Sequence, residues 1–225
     1  MVEFWPLTGW LTGGVTAGTL LLVSEIAPLQ IAAVLAIAVR LLVTGALHED
    51  GLADFADGFG GGGHDRSRIL AIMKDSRIGT YGVTMLIMYF TLLFFSLISM
   101  TPQEAAMTIA AADPYSKMLT AQLVQMMPYA RNEETAKNHT VYRKFGIWAG
   151  ISLFLQGLLP LGCYSWYMAG RMDWQMLVFV PAAAMYFLYL FVWRRLRGYT
   201  GDCCGAVCLL TELATILTAV IYIGR

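Results

Sequence analysis

The chain has 225 residues, 58% hydrophobic and only 13% charged, with a formal net charge of zero and a mean hydropathy of +0.62. Soluble domains carry about a quarter charged residues, so this balance argues against a soluble globule and for an integral membrane protein. A neutral chain also offers nucleic acid no bulk attraction, and no nucleic-acid partner is expected.

A helix needs about 20 apolar residues to cross the hydrocarbon core. Taken in chain order, seven stretches qualify: Trp5–Val23, Leu29–Leu47, Ile78–Ser99, Glu104–Met127, Phe145–Met168, Trp174–Trp193 and Cys204–Ile223. The fold class expected is therefore all-α: a polytopic bundle of about seven transmembrane helices, one integral membrane domain over residues 1–225. The N-terminal "MVEFWPLTGW" lacks the basic region of a cleavable signal, so the first stretch is expected to remain as a span. It carries Gly9, Gly13, Gly14 and Gly18, small-xxx-small pairs that predict close helix packing.

The loop from His48 to Arg77 holds Arg66, Arg68, Lys74 and Arg77. The loop after Met127 holds Arg131, Lys137, Arg143 and Lys144, and the loop after Trp193 holds Arg194, Arg195 and Arg197. The other loops hold Arg171 or none. This alternation predicts a multi-pass protein of the cytoplasmic membrane, with the N-terminus and the residue 48–82 segment on the cytoplasmic side.

That segment, "LHEDGLADFADGFGGGGHDRSRILAIMKDSRIGTYG", gathers six of the fifteen carboxylates. Asp50, Asp54 and Asp57 are spaced i, i+4, i+7 and share one helix face. Three like charges on one face repel unless a cation sits among them, and clustered hard oxygens suit Mg²⁺ or Mn²⁺. The bland reading is a solvated helix end. Glu49 lies about 100° off that face and is a weaker ligand. Gly60–Gly63 could bring backbone N–H groups to a phosphate, but no P-loop lysine follows and a hinge is the simpler reading. Asp65 reads as an N-cap. Ile69, Ile72 and Met73 then make the apolar stripe of a short helix lying on the membrane or against the bundle. Arg66, Lys74 and Arg77 are candidate grips for a diphosphate. Lipid headgroups are their plainer partners. Asp75 either completes the metal set or acts as a base.

Two further places carry charge. Lys117 sits inside the fourth span with Asp113 four residues before it: a functional intramembrane pair, or one that satisfies itself. Asp202 stands at the mouth of the last span, where a helix N-cap is the simpler reading. Cys163, Cys203, Cys204 and Cys208 have no disulfide or zinc spacing and read as free thiols filling apolar space. His48 is placed to support the acidic cluster from behind. His139 stands alone.

Taken together, "LHEDGLADFADG" and "IMKDSRIGTYG" resemble the signature of the cobalamin synthase family, the adenosylcobinamide-GDP ribazoletransferases: a His-x-Asp-Gly-x-x-Asp-x-x-Asp-Gly block, then Asp-x-Arg-x-Gly-x-x-Gly. Gly198–Asp202 is similar to a Gly-Tyr-Thr-Gly-Asp block, and Pro128–Arg131, "PYAR", fits another segment. The resemblance covers almost the whole chain in order. It implies transfer of adenosylcobinamide-GDP onto α-ribazole, or its 5′-phosphate, with release of GMP, dependent on Mg²⁺ and carried out in the membrane. It implies Asp50, Asp54, Asp57 and Asp75 as acidic site residues with Arg77 beside them. Asp50, Asp54 and Asp57 would hold metal, Asp57 and Asp75 would be catalytic, and Arg66, Lys74, Arg77, Lys117, Arg131 and Asp202 would bind substrate. Two departures stand out. The family carries further residues ahead of the stretch matching "FWPLTGW", so an N-terminal element or an earlier start is expected. Lys117 stands where an arginine is expected, which keeps the charge and loses the bidentate fork.

Three other readings compete. A CDP-alcohol phosphotransferase would need Ala-Arg soon after the Asp-Gly pair, where Phe59 and Gly60 stand. An aspartate-rich prenyltransferase would show a second aspartate-rich helix. A transporter would show mid-span charge and paired repeats. The lipid bilayer is an expected partner, and a homo-oligomer is compatible with the sequence.

Overall fold

In hydrocarbon no water satisfies the backbone, so each apolar run closes its own hydrogen bonds as a helix. The computed structural model describes residues 2–131 and 144–223. After a 3₁₀ turn at Val2–Phe4, the helices are α1 (Trp5–Ser24), α2 (Leu29–Thr44), α3 (Leu47–Gly62), α4 (Arg66–Lys74), α5 (Thr80–Ile98), α6 (Pro102–Met126), α7 (Ile147–Tyr167), α8 (Trp174–Leu196) and α9 (Gly201–Ile223). No strand occurs among the described residues; one isolated parallel bridge joins Tyr129 and Tyr199. Lys137, His139 and Arg143, singled out in the sequence, lie outside the described residues.

Each expected span is a helix, but the count of seven needs adjusting. Among the described residues five helices are long and apolar enough to cross a membrane: α1 with its leading turn, α5, α7, α8 and α9. A sixth qualifies only if α2 and α3 count as one span, and these two are bent by 89°. The reason is length. α2 ends at Thr44, and its 16 residues reach about 24 Å, short of a core of about 30 Å. The break is left-handed at two successive residues, Gly45 (φ 62°) and Ala46 (φ 55°). Glycine adopts that conformation without strain; alanine does so rarely.

α6 is the axis of the bundle. It is rich in small and polar residues, so its mean hydropathy is low for a span, and it is buried along most of its length against α1, α7 and α9. A capping box at Thr101 and Glu104 starts it. α1 closes onto α6 through Gly9 and Gly13: a Cβ at Gly9 would stand 2.7 Å from the Pro114 Cα. Gly14 and Gly18 face open space, so only one of the expected glycine pairs is a packing seam. Large apolar side chains are exposed on several helices, among them Leu22 on α1, Leu42 on α2, Phe95 on α5, and Trp148, Trp166, Phe179 and Phe187 on α7 and α8.

Two buried ion pairs lock the interior. Arg40 of α2 forks onto Glu212 of α9, with both bonds at 2.6 Å. Lys117 donates to Asp113 one turn earlier in α6, and Thr12 of α1 donates to the same carboxylate at 2.6 Å. The Lys117–Asp113 pair is thus self-satisfied within the bundle.

Candidate active site

The 89° bend turns α3 away from α2 and lays it across α9. The crossing is made by glycines. A Cβ at Gly51 would stand 3.2 Å from the Asp202 Cα, and one at Gly205 would stand 3.1 Å from the His48 carbonyl. The close approach sets the Asp202 backbone against Gly51 of α3. Asp202 is not the N-cap. Thr200 holds that position and accepts the Cys203 N–H at 3.2 Å, and its hydroxyl donates to Asp202 at 3.3 Å.

Along α3 the three aspartates run from surface to interior: Asp50 exposed, Asp54 half-buried, Asp57 buried. Asp57 has a definite task. One carboxylate oxygen accepts the Gly79 N–H at 2.6 Å and the other the Gly82 N–H at 2.9 Å. Its charge therefore sits at the N-terminus of α5, where unsatisfied amides and the helix dipole favour an anion. A side chain at either glycine would come within 2.5 Å of that carboxylate. The spacing of the Asp-x-Arg-x-Gly-x-x-Gly block is thus the footprint of Asp57. Glu49 points the other way and is buried, with Oε2 lacking a hydrogen-bond partner among the described residues.

The glycine run is neither a phosphate cradle nor a hinge. Gly60–Gly62 continue α3, and Gly63 ends it with φ 62°. Gly58 and Gly62 receive Met73 and Ile69, whose buried side chains seat α4 on α3. The short helix lies against the bundle. Asp65 caps it as expected, accepting from Ser67 and Arg68 N–H groups. Those bonds, the Ser67 hydroxyl first, hold its carboxyl below the ordinary range.

The remaining blocks meet at the same end. Residues 128–130 pair with Tyr199 through Ala130 N–H to the Tyr199 carbonyl (2.8 Å) and Tyr199 N–H to the Pro128 carbonyl (3.0 Å). Their tyrosine rings meet edge to face at 5.4 Å. Arg66 bridges both strands of chain, donating to the carbonyls of Leu196 (2.8 Å) and Ala130 (2.6 Å). Arg131 donates to the Leu70 carbonyl at 3.1 Å. These two arginines, candidate phosphate grips in the sequence, are bonded to backbone here and fix the end of the bundle. Lys74 is exposed. Asp75 accepts a two-pronged contact from the exposed Arg77, with the shortest bond at 2.6 Å. That guanidinium holds the Asp75 carboxyl down to about 2, so Asp75 is a weak proton acceptor while Arg77 stays in place.

Among the described residues no three His, Cys, Asp or Glu side chains converge as a ready-made metal cage. Mg²⁺ rarely asks for one. It keeps waters and takes one or two carboxylates together with substrate phosphates. Asp50 and Asp54, one turn apart with hard oxygens at the open end of α3, fit that mode. The buried Asp57, already committed to two amides, fits it less well. Arg40 and Glu212 were missed in the sequence; lone opposite charges inside two apolar runs were the available signal. Cys203, Cys204 and Cys208 are buried free thiols in α9, as expected of fillers.

An all-helical, multi-pass membrane protein with carboxylates and cations gathered at one end of its bundle is the class these features define. Residues 1–220 match the family described as Cobalamin-5-phosphate synthase, and the chain belongs to that family. It is 38% identical to an adenosylcobinamide-GDP ribazoletransferase of Rhizobium etli, over 96% of this chain and 84% of the relative. A Vibrio parahaemolyticus protein of the same name is 36% identical over 98% of this chain and 81% of its own length. One from Ralstonia nicotianae is 39% identical over 95% and 81%. No solved structure matches the chain. Family membership sets aside the CDP-alcohol, prenyltransferase and transporter readings.

Proposed function

We propose that the acidic end of this bundle joins adenosylcobinamide-GDP to α-ribazole, or to its 5′-phosphate, and releases GMP. The observation that carries this reading is convergence. Four motif blocks spread from residue 47 to residue 202 meet at one end, through the Gly51–Gly205 crossing, the Asp57 contacts to Gly79 and Gly82, and the Arg66 bridge. The relatives' shared name supplies the substrates.

In this reading Asp50 and Asp54 hold Mg²⁺, which when bound supplies positive charge to the diphosphate. Asp202, packed against Gly51, borders the same space and orients substrate. A ribazole hydroxyl oxygen forms a bond to the phosphorus that bears cobinamide, the bond from that phosphorus to the GMP oxygen breaks, and the hydroxyl proton passes to a carboxylate. Asp75 is the proposed base. Its pairing with Arg77 adds a condition: an incoming phosphate draws the guanidinium away and restores ordinary proton affinity to Asp75. Lys74 and Arg77 grip phosphate directly. Asp57, Arg66 and Arg131 hold the loops that present them, and Lys117 fixes α6 beneath the site. The clustering of Arg66, Lys74, Arg77, Arg194, Arg195 and Arg197 supports an orientation with this end in the cytoplasm and the bundle in the inner membrane. Bilayer lipid covers α7 and α8, and a homo-oligomer is compatible with that surface.

The test is an assay of purified protein in liposomes with adenosylcobinamide-GDP, α-ribazole and Mg²⁺, following GMP and corrinoid product. Product that disappears with EDTA and with Asp54→Asn supports the reading. Turnover that survives both would remove Asp54 and the metal from it.

A further inference from the structure

A second site opens beside the first, on residues the reaction does not use. At the end of α8, a cavity of about 500 Å³ is lined by His64, Phe187, Leu190, Phe191, Arg194 and Arg195. The five α8 residues are spaced i, i+3, i+4, i+7, i+8 and so form one stripe along the helix. The stripe changes character along its length. Phe187, Leu190 and Phe191 lie in the apolar body of a helix able to cross a membrane, and Arg194 and Arg195 fall in its last turn.

The walls are firm. The Phe191 ring packs 4.8 Å from Phe59 and 6.2 Å from Phe55. Arg195 donates to the Gly63 carbonyl and lies 5.3 Å from the Phe191 ring centre. Phe187 is 70% exposed, so the apolar end opens outward. No carboxylate is among the lining residues, which leaves the two guanidiniums as a net positive mouth.

We propose that this cavity binds a phospholipid with a net anionic headgroup, its phosphate at Arg194 and Arg195 and an acyl chain along Phe187, Leu190 and Phe191. The dimensions fit. Phe187 and Arg195 are eight positions apart on α8, a rise of about 12 Å, enough for a glycerol backbone and the upper part of a chain. The charge fits as well: a zwitterionic headgroup would bring an ammonium toward two arginines with no carboxylate to receive it. Free phosphate would meet the arginines but gain nothing from the phenylalanines. Basic pockets between helices at a membrane face are the general form of such sites.

The experiment uses the full chain purified in neutral detergent. It is titrated with phosphatidylglycerol or phosphatidylcholine of identical acyl chains, and bound lipid is counted by native mass spectrometry. One phosphatidylglycerol should be retained with a preference of about ten-fold or more. Arg194→Gln should lower that preference about five-fold, Arg194→Gln with Arg195→Gln should abolish it, and Phe187→Ala should weaken both lipids alike. Arg194 is exposed, so the single variant decides the matter even if the Arg195 change disturbs Gly63. Equal retention of the two lipids, a preference untouched by Arg194→Gln, or displacement of the lipid by equimolar inorganic phosphate would overturn the proposal. No substrate is present, so failure here leaves the transferase reading intact.

Discussion

Asp57 shows how one side chain can explain a motif. Its two oxygens accept the Gly79 and Gly82 amides, and both glycines lack the Cβ that would collide with it. Gly82→Ala should therefore destabilise the protein by about 1–3 kcal/mol and lower turnover, read by thermal unfolding in detergent beside the activity assay. Asp57→Ala should behave in the same way, because the buried Gly82 amide and the half-buried Gly79 amide lose their acceptor. Asp54→Asn should differ: turnover falling about 100-fold or more with an unfolding temperature close to wild type. Equal losses of stability at the two positions would show that α3 carries one structural role and no division of labour. Asp75 gives a pH prediction. Its pKa is depressed to about 2 by Arg77, so the contact is present above the ordinary carboxylate value and is lost only as pH falls through about 2. In Arg77→Gln the acid limb of kcat/KM, which reports the free enzyme, should move up toward about pH 4, with slower turnover below it. An unmoved limb would exclude Asp75 as the titrating base.

At the level of helices, the bend between α2 and α3 is the decisive element. It converts what reads as a span running into a loop into a short helix plus a helix laid on α9. The Arg40–Glu212 fork ties α2 to α9 beneath that bend. Removing one member leaves a buried charge alone, so Glu212→Leu should cost about 3–5 kcal/mol. Adding Arg40→Met should recover most of that loss, since a buried pair exchanged for apolar groups is often neutral. The comparison is made by unfolding of the single and double variants; additive losses would mean that the two side chains stabilise separately. Neither residue was singled out in the sequence, where each is a lone charge within an apolar run. Periodicity cannot tell which two spans will be neighbours, so the pairing was not legible.

Across the whole molecule, the apolar runs alone announced an all-helical membrane bundle. A backbone surrounded by hydrocarbon has one way to satisfy itself within a single segment, and run length measures it directly. The acidic helix face was equally legible, because i, i+4, i+7 spacing is local geometry, and so was the Asp65 cap. Tertiary contact decided everything that depends on a distant partner. It separated Asp57 from Asp50 and Asp54 by giving it the α5 amides, and turned the glycine run from a loop into a seat for α4. It bound Arg66 and Arg131 to backbone carbonyls, brought Thr12 to Asp113 and forked Arg40 onto Glu212. Spacing along a chain fixes which residues share a face. What that face meets depends on helix crossings set by packing between segments tens of residues apart, and those appear only once the chain is folded.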